Sequence, residues 1–227
     1  MRSYFTSVIG YVFLVLFLAV AGVLFCFTTI YSMSSDVTGY FTLMLIFSAV
    51  ILPLLTMKSF SEERRARTEQ LILTSPVSII SMVLGKFLAA TTMFFGAAVF
   101  SSFYFFLLMP YASLKVALLL GNMVALLLVG VTFISIGLFV SSLTENQLTA
   151  AIGTIAIILA FLGISLINTL LPSAYWLRYV FNCLSLFTRF QTFTGGIFDL
   201  ASLIYYVSVS AIFLYLTVRV YDRRRYN

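Results

Sequence analysis

The stretch KSFSEERRARTEQLILTSPVS, residues 58–78, places seven charged residues within twelve positions, between two segments that carry almost no charge. The chain as a whole is 62% hydrophobic and 9% charged, with a mean hydropathy of +1.13. Soluble domains carry about 25% charged residues. The sequence therefore predicts a polytopic membrane protein, with no separate soluble domain, in which this stretch is a connection outside the membrane.

Apolar runs on both sides of this stretch reach the length of about 20 residues that a helix needs to cross the hydrocarbon core. We place the spans at residues 8–31, 40–57, 87–109, 116–140, 148–171 and 200–218. They predict an all-α bundle of six transmembrane helices that forms a single domain over residues 1–227. The first run could be a signal peptide, but its length and its lack of a small-residue cleavage pattern favour a helix of the mature protein.

Basic residues are divided unevenly between the two sides of this predicted bundle. An even number of spans places both termini on one side, together with most of the Lys and Arg: Arg2, Lys58, Arg64, Arg65, Arg67, Lys86, Arg219, Arg223, Arg224 and Arg225. Only Lys115, Arg178 and Arg189 fall on the other side. The positive-inside rule then predicts a multi-pass protein of the inner (cytoplasmic) membrane with both termini in the cytoplasm.

The net charge of +6 is thus explained by topology and by attraction to the anionic lipid of the bilayer. A nucleic-acid partner is not expected, because no element is available to read a groove. The sequence has no histidine, which removes histidine-based acid–base pairs and most zinc motifs. We expect no catalytic residue, no metal site and no cofactor in this chain.

Any energy from a nucleotide has to come from a partner protein. Gly85-Lys86 lacks the earlier glycine of a G-x-x-x-x-G-K-[ST] phosphate loop, so the chain should not bind ATP by itself. The predicted spans contain no Asp, Glu, Lys or Arg, which disfavours coupling to protons or sodium. Two kinds of residue in the spans are expected to make contacts between helices. The polar ones are Asn122 and Asn168, and the small ones are Gly130, Gly137, Gly153, Ala156, Ala160 and Gly163.

The segment before the last span, residues 172–199, is aromatic and too broken to cross the membrane. Tyr175 and Trp176 are typical of an interfacial belt, and Asp199 of the N-cap of the last helix. Cys183 could pair with Cys26 only if this segment folded back over the bundle, so two unpaired packing residues are favoured.

Local signals predict a helix, a turn and a second helix within residues 58–78. Ser59 and Glu62 have the spacing of a capping box. Three ion pairs at helical spacing would support the first helix: Glu62–Arg65, Glu63–Arg67 and Arg65–Glu69. Ser75 and Pro76 offer an N-cap and a first position for the next helix, which runs through Lys86 into the third span. The first helix is either a solvated connection or a docking element for a cytosolic protein.

Several segments, in order along the chain, resemble the ABC-2 type permeases, particularly the subfamily of gliding-motility and copper-maturation permeases. FSEERR at residues 60–65, TEQLILTSPVS at 68–78 and LGKF at 84–87 are similar to the hallmark stretch of these proteins. The segment SYFTSVIGYV at 3–12 is similar to their entry into the first span, and SSLTENQ at 141–147 to their turn between the fourth and fifth spans. The segment at 189–206 is similar to their approach to the sixth.

The resemblance implies that residues 61–70 form a coupling helix, seated in a cleft of a separate cytosolic ABC ATPase that binds ATP and Mg. Its candidate contact residues are Ser61, Glu62, Glu63, Arg64, Arg65, Arg67, Thr68, Glu69 and Gln70, with Glu62, Glu63, Arg64 and Glu69 as the polar contacts. Many ABC-2 permeases carry Gly-Thr where this chain has Arg67-Thr68. The turn at Thr144, Glu145, Asn146 and Gln147 is a second candidate contact, or simply a polar turn. Residues 172–199 would form short re-entrant helices on the outer side.

The function that the resemblance implies is that of a permease subunit of an ATP-driven ABC transporter, with export expected rather than import. The permease would pair with a second copy or a homologous permease, with an accessory membrane protein of large outer domain as a further partner. A membrane scaffold or regulator driven by an ATPase is an alternative, and an ion-coupled carrier a weaker one. Lipid, peptide, polysaccharide and metal-maturation cargo are all compatible with the sequence.

Overall fold

The computed structural model describes residues 8–32, 37–68, 78–108, 116–170, 185–195 and 199–226. Helix accounts for nearly all of these residues, and no strand occurs among them. The prediction of an all-α bundle is therefore confirmed. Predictions that concern Glu69, Gln70, Ser75, Pro76 or Cys183 lie outside the described residues.

Six helices of the described chain are long and apolar enough to cross a membrane. They are α1 (Val8–Phe25, continued as a π-helix over Cys26–Tyr31), α2 (Val37–Thr56), α4 (Ile79–Leu108), α5 (Val116–Leu143), α6 (Gln147–Leu170) and α8 (Leu200–Tyr226). Two shorter helices are α3 (Lys58–Arg65) and α7 (Leu186–Thr194). All six predicted spans are found. Helix α4 begins before its predicted span, as expected of a helix that runs through Lys86 into it, and α8 continues past its predicted span because its charged end stays helical.

Helix α5 lies at the centre and contacts α2, α3, α4, α6, α7 and α8. Its most apolar window is 67% buried, against 22% for α6 and α8. Two of its glycines permit this close packing: a Cβ at Gly130 would lie 2.0 Å from the ring of Phe94 on α4, and one at Gly137 would lie 2.1 Å from Oγ1 of Thr56 on α2. The predicted helix contacts at both glycines are confirmed.

The same prediction is only partly correct for α6. Gly153 faces α5, since a Cβ there would lie 3.1 Å from Val140, but Ala156 and Ala160 are exposed and Gly163 has no neighbour within 4 Å. These three residues do not contact the chain's other described helices, because their face of α6 points away from the bundle. Sequence periodicity identifies a face but not the direction in which it points.

Polar side chains in the spans mostly bond within their own helix rather than across helices as predicted. Asn122 Nδ2 donates to the carbonyl of Leu118 one turn earlier, and most serines and threonines do the same. An exception is Ser210 on α8, whose hydroxyl lies 3.4 Å from that of Thr132 on α5. A carbonyl of the same helix is the nearest acceptor, and bonding to it needs no partner helix.

The two ends of the bundle differ in charge. One end, called the basic end below, contains α3, the start of α4, the turn between α5 and α6 and the end of α8. Helix α1 runs parallel to α4, since Phe17 contacts Phe94 and Phe25 contacts Phe105, so the start of α1 is also at the basic end. Both ends of the described chain therefore lie on one side.

The opposite end contains α7 and the start of α8. The Oγ of Ser185 caps α7 by accepting from the N–H of Thr188 at 3.2 Å. The carboxylate of Asp199 accepts from the N–H groups of Ala201 and Ser202, which confirms its predicted N-cap role. Helix α7 is one short helix of the segment for which the resemblance implied a re-entrant pair; residues 171–184 lie outside the described residues. Cys26 is exposed and forms no disulfide with a described residue; because Cys183 lies outside the described residues, pairing between the two stays untested.

Candidate functional site at the basic end

Helix α3 follows α2 with scarcely a break. The N–H of Met57 donates to the carbonyl of Pro53 at 2.8 Å, and Met57 itself has helical dihedral angles. The predicted capping box is therefore wrong: α3 begins at Lys58, and the Oγ of Ser59 is buried without a hydrogen-bond partner among the described residues. The chain enters α3 already helical, so a residue inside the helix has no role as its cap.

Ser141, near the end of α5, takes over the role of a cap. Its Oγ accepts from the N–H groups of Phe60 at 3.1 Å and Ser61 at 3.2 Å, and donates to the carbonyl of Met57 at 3.0 Å. Ser141 is fully buried. A side-chain cap typically contributes about 1 kcal/mol to helix stability. Here the cap comes from a residue about 80 positions away, so it fixes α3 to α5 as well as starting the helix.

Arg64 and Glu63 make the remaining polar contacts between α3 and the bundle. Arg64 pairs with Glu145 at 3.0 Å and donates from Nη1 to the carbonyl of Leu143 at 2.7 Å. The ammonium of Lys86 on α4 pairs with the Glu63 carboxylate and donates to the carbonyl of Ser59. Lys86 and Arg64 thus tie α3 to two different helices.

Two of the three ion pairs predicted for this helix do not form among the described residues, and the third, Arg65–Glu69, lies outside them. Neither Glu62–Arg65 nor Glu63–Arg67 is among the ion pairs of the described residues. Partners from other helices occupy Glu63, and they occupy Arg64, for which no pair was predicted. Spacing along a helix shows which residues can meet, whereas the tertiary fold decides which of them do.

Helix α8 completes the anchoring. The ring of Tyr221 packs against that of Phe60 with 5.0 Å between centroids, and Phe60 is fully buried. The guanidinium of Arg224 donates to the carbonyl of Ser142 at 2.8 Å. The last turn of α5 therefore receives contacts from both α3 and α8.

The end of α3 has the hydrogen bonds of a Schellman motif. The N–H of Arg67 donates to the carbonyl of Arg64, and the N–H of Thr68 donates to that of Glu63, both at 3.1 Å. Arg67 has a φ of 55°, in the left-handed region that favours glycine. This geometry explains why a glycine suits the position, as in the Gly-Thr of the permeases that the sequence resembles.

The candidate contact residues lie on two faces of α3. Ser61, Glu63 and Arg64 face the bundle: Ser61 is buried with its hydroxyl bonded to the Met57 carbonyl, and the other two are paired as described above. The outward face carries Glu62, Arg65, Arg67 and Thr68, all of them exposed. Glu69 and Gln70 lie outside the described residues.

The second candidate segment lies beside the first. The carboxylate of Glu145 forms its ion pair with Arg64 of α3. Asn146 caps the start of α6 by accepting from the N–H of Leu148 at 3.0 Å, and Thr144 donates to the carbonyl of Val140. Gln147 is the first residue of α6. The two predicted segments therefore meet at one surface, although whether that surface contacts an ATPase stays a prediction.

Sequence reasoning missed four residues of this site: Ser141, Lys86, Tyr221 and Arg224. Ser141 and Lys86 both lie in stretches that carried the family resemblance, so a signal was present without an assigned role. Arg224 was counted only among the basic residues of one side, and Tyr221 was not singled out. Their roles depend on partners on other helices, which local patterns do not identify.

No catalytic or metal-binding arrangement accompanies this surface in the part of the chain that the structure describes. No group of three or more His, Cys, Asp or Glu residues there is suited to hold a metal ion. A groove of about 690 Å³ lies toward the opposite end between α1 and α4, and apolar residues such as Leu18, Val23 and Phe27 line most of it. The polar chemistry of the described chain is thus concentrated at the basic end.

A family model described as ABC-2 family transporter protein matches residues 36–224, which is most of the chain and includes every element of the basic-end surface. Neither the comparison with curated proteins nor that with solved structures returns a match. The matched region contains five of the six spans together with α3, its anchoring residues and the turn at residues 144–146. The chain belongs to the ABC-2 family transporter proteins, and its six-span all-α bundle is that of an ABC-2 type permease.

Proposed function

We propose that the chain is the transmembrane subunit of an ATP-driven exporter, and that α3 is the coupling helix that receives movement from a separate cytosolic ATPase. The observation that carries the proposal is the division of α3 into two faces. One face is fixed to the bundle by Ser141, Glu145 and Lys86. The other presents Glu62 and Arg65 to the outside.

The fixed face gives a route for force. Contacts from α3 converge on the last turn of α5, which is the central helix of the bundle. A displacement of α3 would therefore move α5, and through α5 the helices packed around it, including α7 at the opposite end. A solvated connection needs no buried anchor of this kind, whereas a helix that transmits force does.

The free face has the chemistry of a docking surface. Glu62, Arg65 and Arg67 offer both signs of charge over one and a half turns, and none of them forms an ion pair with the rest of the described chain. Charges of this kind contribute little while exposed but become significant when a partner desolvates them. Glu63 and Arg64 hold α3 in place through their pairs with Lys86 and Glu145, and their contact with an ATPase stays a prediction.

Orientation supports the same assignment. The basic end carries Lys58, Arg65, Arg67 and the arginines of α8, so the positive-inside rule favours the cytoplasm for it and for both chain termini. A cysteine at position 66, in a chain with Cys26→Ser and Cys183→Ser, tests this. It should react with a membrane-impermeant maleimide in inside-out vesicles and not in intact cells. Labelling from outside would overturn the orientation.

Two copies of the chain, or one copy and a homologous permease, would pair with two ATPase subunits that bind the ATP and Mg. The test of coupling is the double reversal Glu62→Lys, Arg65→Glu, with Gln191→Lys on α7 as a control at the opposite end. We expect the double variant to lose co-purification with the ATPase, or stimulation of its ATP turnover, because breaking desolvated charge contacts costs about 2–5 kcal/mol. Wild-type values for both would refute the coupling assignment.

An exporter releases a compound from the cell, whereas a scaffold driven by an ATPase does not. Cells that carry the reversal variant should accumulate at least one compound that wild-type cells release, detected by comparing cells and medium with untargeted mass spectrometry. An unchanged distribution, together with lost ATPase coupling, would favour a regulator driven by the ATPase without transport.

A further inference from the structure

One face of α8 passes from apolar to cationic as it approaches the basic end. Ile212, Tyr215, Leu216, Arg219 and Arg223 are all exposed, and their spacing of three or four residues places them on a single stripe. We propose that this stripe binds an anionic phospholipid of the bilayer, with the lipid phosphate between Arg219 and Arg223 and an acyl chain along Ile212 and Leu216.

Arg219 is held in an unusual direction for a basic residue at a membrane surface. Its Nε donates to the hydroxyl of Tyr215 at 2.8 Å, and its guanidinium lies 5.4 Å from the centre of that ring. Tyr215 is one turn closer to the membrane interior. Arginines near the ends of spanning helices usually extend toward water, so this contact draws the charge toward the apolar stripe.

The charge of Arg219 is not balanced by a carboxylate of the described residues. Neither Arg219 nor Arg223 has a carboxylate within 4 Å among the described residues, although Asp222 lies between them in sequence. Like charges four positions apart on a helix repel each other. A phosphate oxygen between the two guanidinium groups would replace that repulsion with charge-assisted hydrogen bonds, for which the planar fork of arginine is well suited.

The apolar half of the stripe identifies the source of the phosphate as a lipid rather than a soluble anion. Ile212 and Leu216 lie on either side of Tyr215 along the same stripe, and both are exposed on a helix that crosses the membrane. Phosphate groups of the bilayer lie at the level where such a helix leaves the hydrocarbon core, and anionic lipid attracts basic residues there. The inference requires only that α8 spans the membrane, so it does not depend on the coupling function of α3.

Two neighbouring arginines define the limits of the site. Arg224 turns toward the bundle, where it bonds to Ser142 and lies against Tyr221. Arg225 is exposed, but it is six residues beyond Arg219 and so about 240° around the helix. Arg225→Gln therefore removes the same charge from the same helix without touching the proposed site.

The experiment uses the full chain, purified from membranes and placed in nanodiscs that contain equal amounts of phosphatidylglycerol and phosphatidylcholine. Native mass spectrometry gives the ratio of the two lipids that stay bound. Wild type should retain phosphatidylglycerol in preference. Arg219→Gln should lower the preference about fivefold, the size expected for one cationic contact at a membrane surface. Arg225→Gln should leave it unchanged, and Tyr215→Phe should lower it in part by releasing the guanidinium.

Other results would overturn the site. Equal losses in the Arg219 and Arg225 variants would indicate diffuse attraction to the surface, and an unchanged ratio in Tyr215→Phe would remove the role of the Tyr215 contact. Competition by inorganic phosphate would point to a soluble anion, and an oligomeric state that changes in Arg219→Gln would point to a second copy of the chain on this face. If Arg219→Gln does not fold, Arg219→Lys keeps the charge but loses the fork, and a wild-type ratio in that variant would equally contradict the proposal.

Discussion

Helices α3 and α7 are two short helices at opposite ends of the bundle, and both pack against α5. They are held in different ways. Helix α7 carries its own cap in Ser185, and the hydroxyl of Tyr206 on α8 donates to the carbonyl of Leu186 at 2.8 Å. Helix α3 is capped by Ser141 and paired with Lys86 and Glu145, which belong to other segments. The position of α3 therefore depends on how the other segments of the basic end are arranged, whereas the start of α7 depends on its own cap.

The largest effect should come from Ser141→Ala. The change leaves the N–H groups of Phe60 and Ser61 without their buried acceptor, whereas the carbonyl of Met57 keeps its bond from the Ser61 hydroxyl. We expect a loss of about 2–3 kcal/mol in unfolding free energy, because each unmet buried group costs about 1–3 kcal/mol and some of them will find water. Denaturant unfolding in detergent measures the loss, and hydrogen exchange should show faster exchange in α3.

The neighbouring variant Ser142→Ala is the matched control. Ser142 is equally buried, but its hydroxyl bonds to the carbonyl of Phe139 within its own helix. It should change stability by no more than about 0.5 kcal/mol. Equal losses in the two variants would mean that the link between α3 and α5 has no special role.

A smaller effect is expected from Ser185→Ala at the other end. Removal of this local cap should cost about 1 kcal/mol, the usual value for a helix N-cap. Hydrogen exchange should rise in the first turn of α7 and stay unchanged in α3. A response at α3 would show that the two ends are less independent than their contacts suggest.

Arg67→Gly should stabilise the protein by about 0.5–1 kcal/mol. The φ of 55° at this residue is strained for any side chain with a Cβ and relaxed for glycine, although glycine also gains entropy in the unfolded chain. Ala66→Gly, one residue earlier in a right-handed conformation, should instead destabilise α3 slightly. Thermal unfolding of the two variants tests the pair, and a gain in both would contradict the strain argument.

The smallest effect concerns the cap of α8. The hydrogen bond from the Ser202 hydroxyl, followed by that from the Ala201 N–H, lowers the pKa of Asp199 below its ordinary value. The folded state therefore binds this proton less readily than the unfolded state. The resulting stabilisation is complete above the ordinary carboxyl pKa and is lost as pH falls through the lowered one. Asp199→Asn should therefore lower stability slightly at pH 7, and the difference from wild type should shrink as pH falls to 3, as measured by unfolding across this range.

Features that depend on residues close to one another in the chain were predictable from the sequence. The six spans follow from apolar runs, and the cap at Asp199 follows from its position just before such a run. The start of α3 was not predictable, because the residue that caps it is about 80 positions away. The direction of the Ala156–Ala160–Gly163 face and the partners of Glu63 and Arg64 failed for the same reason: each depends on which helix lies opposite.

The Schellman motif at Arg67 and Thr68 ends α3 cleanly, and every contact that secures the helix precedes it. Among the described residues, the contacts that keep α3 on α5 are made by α3 itself, by Ser141 and by the turn at Glu145. A gene divided after codon 68 would encode two fragments, one with two spans and one with four, and co-expression should reassemble them into a working bundle.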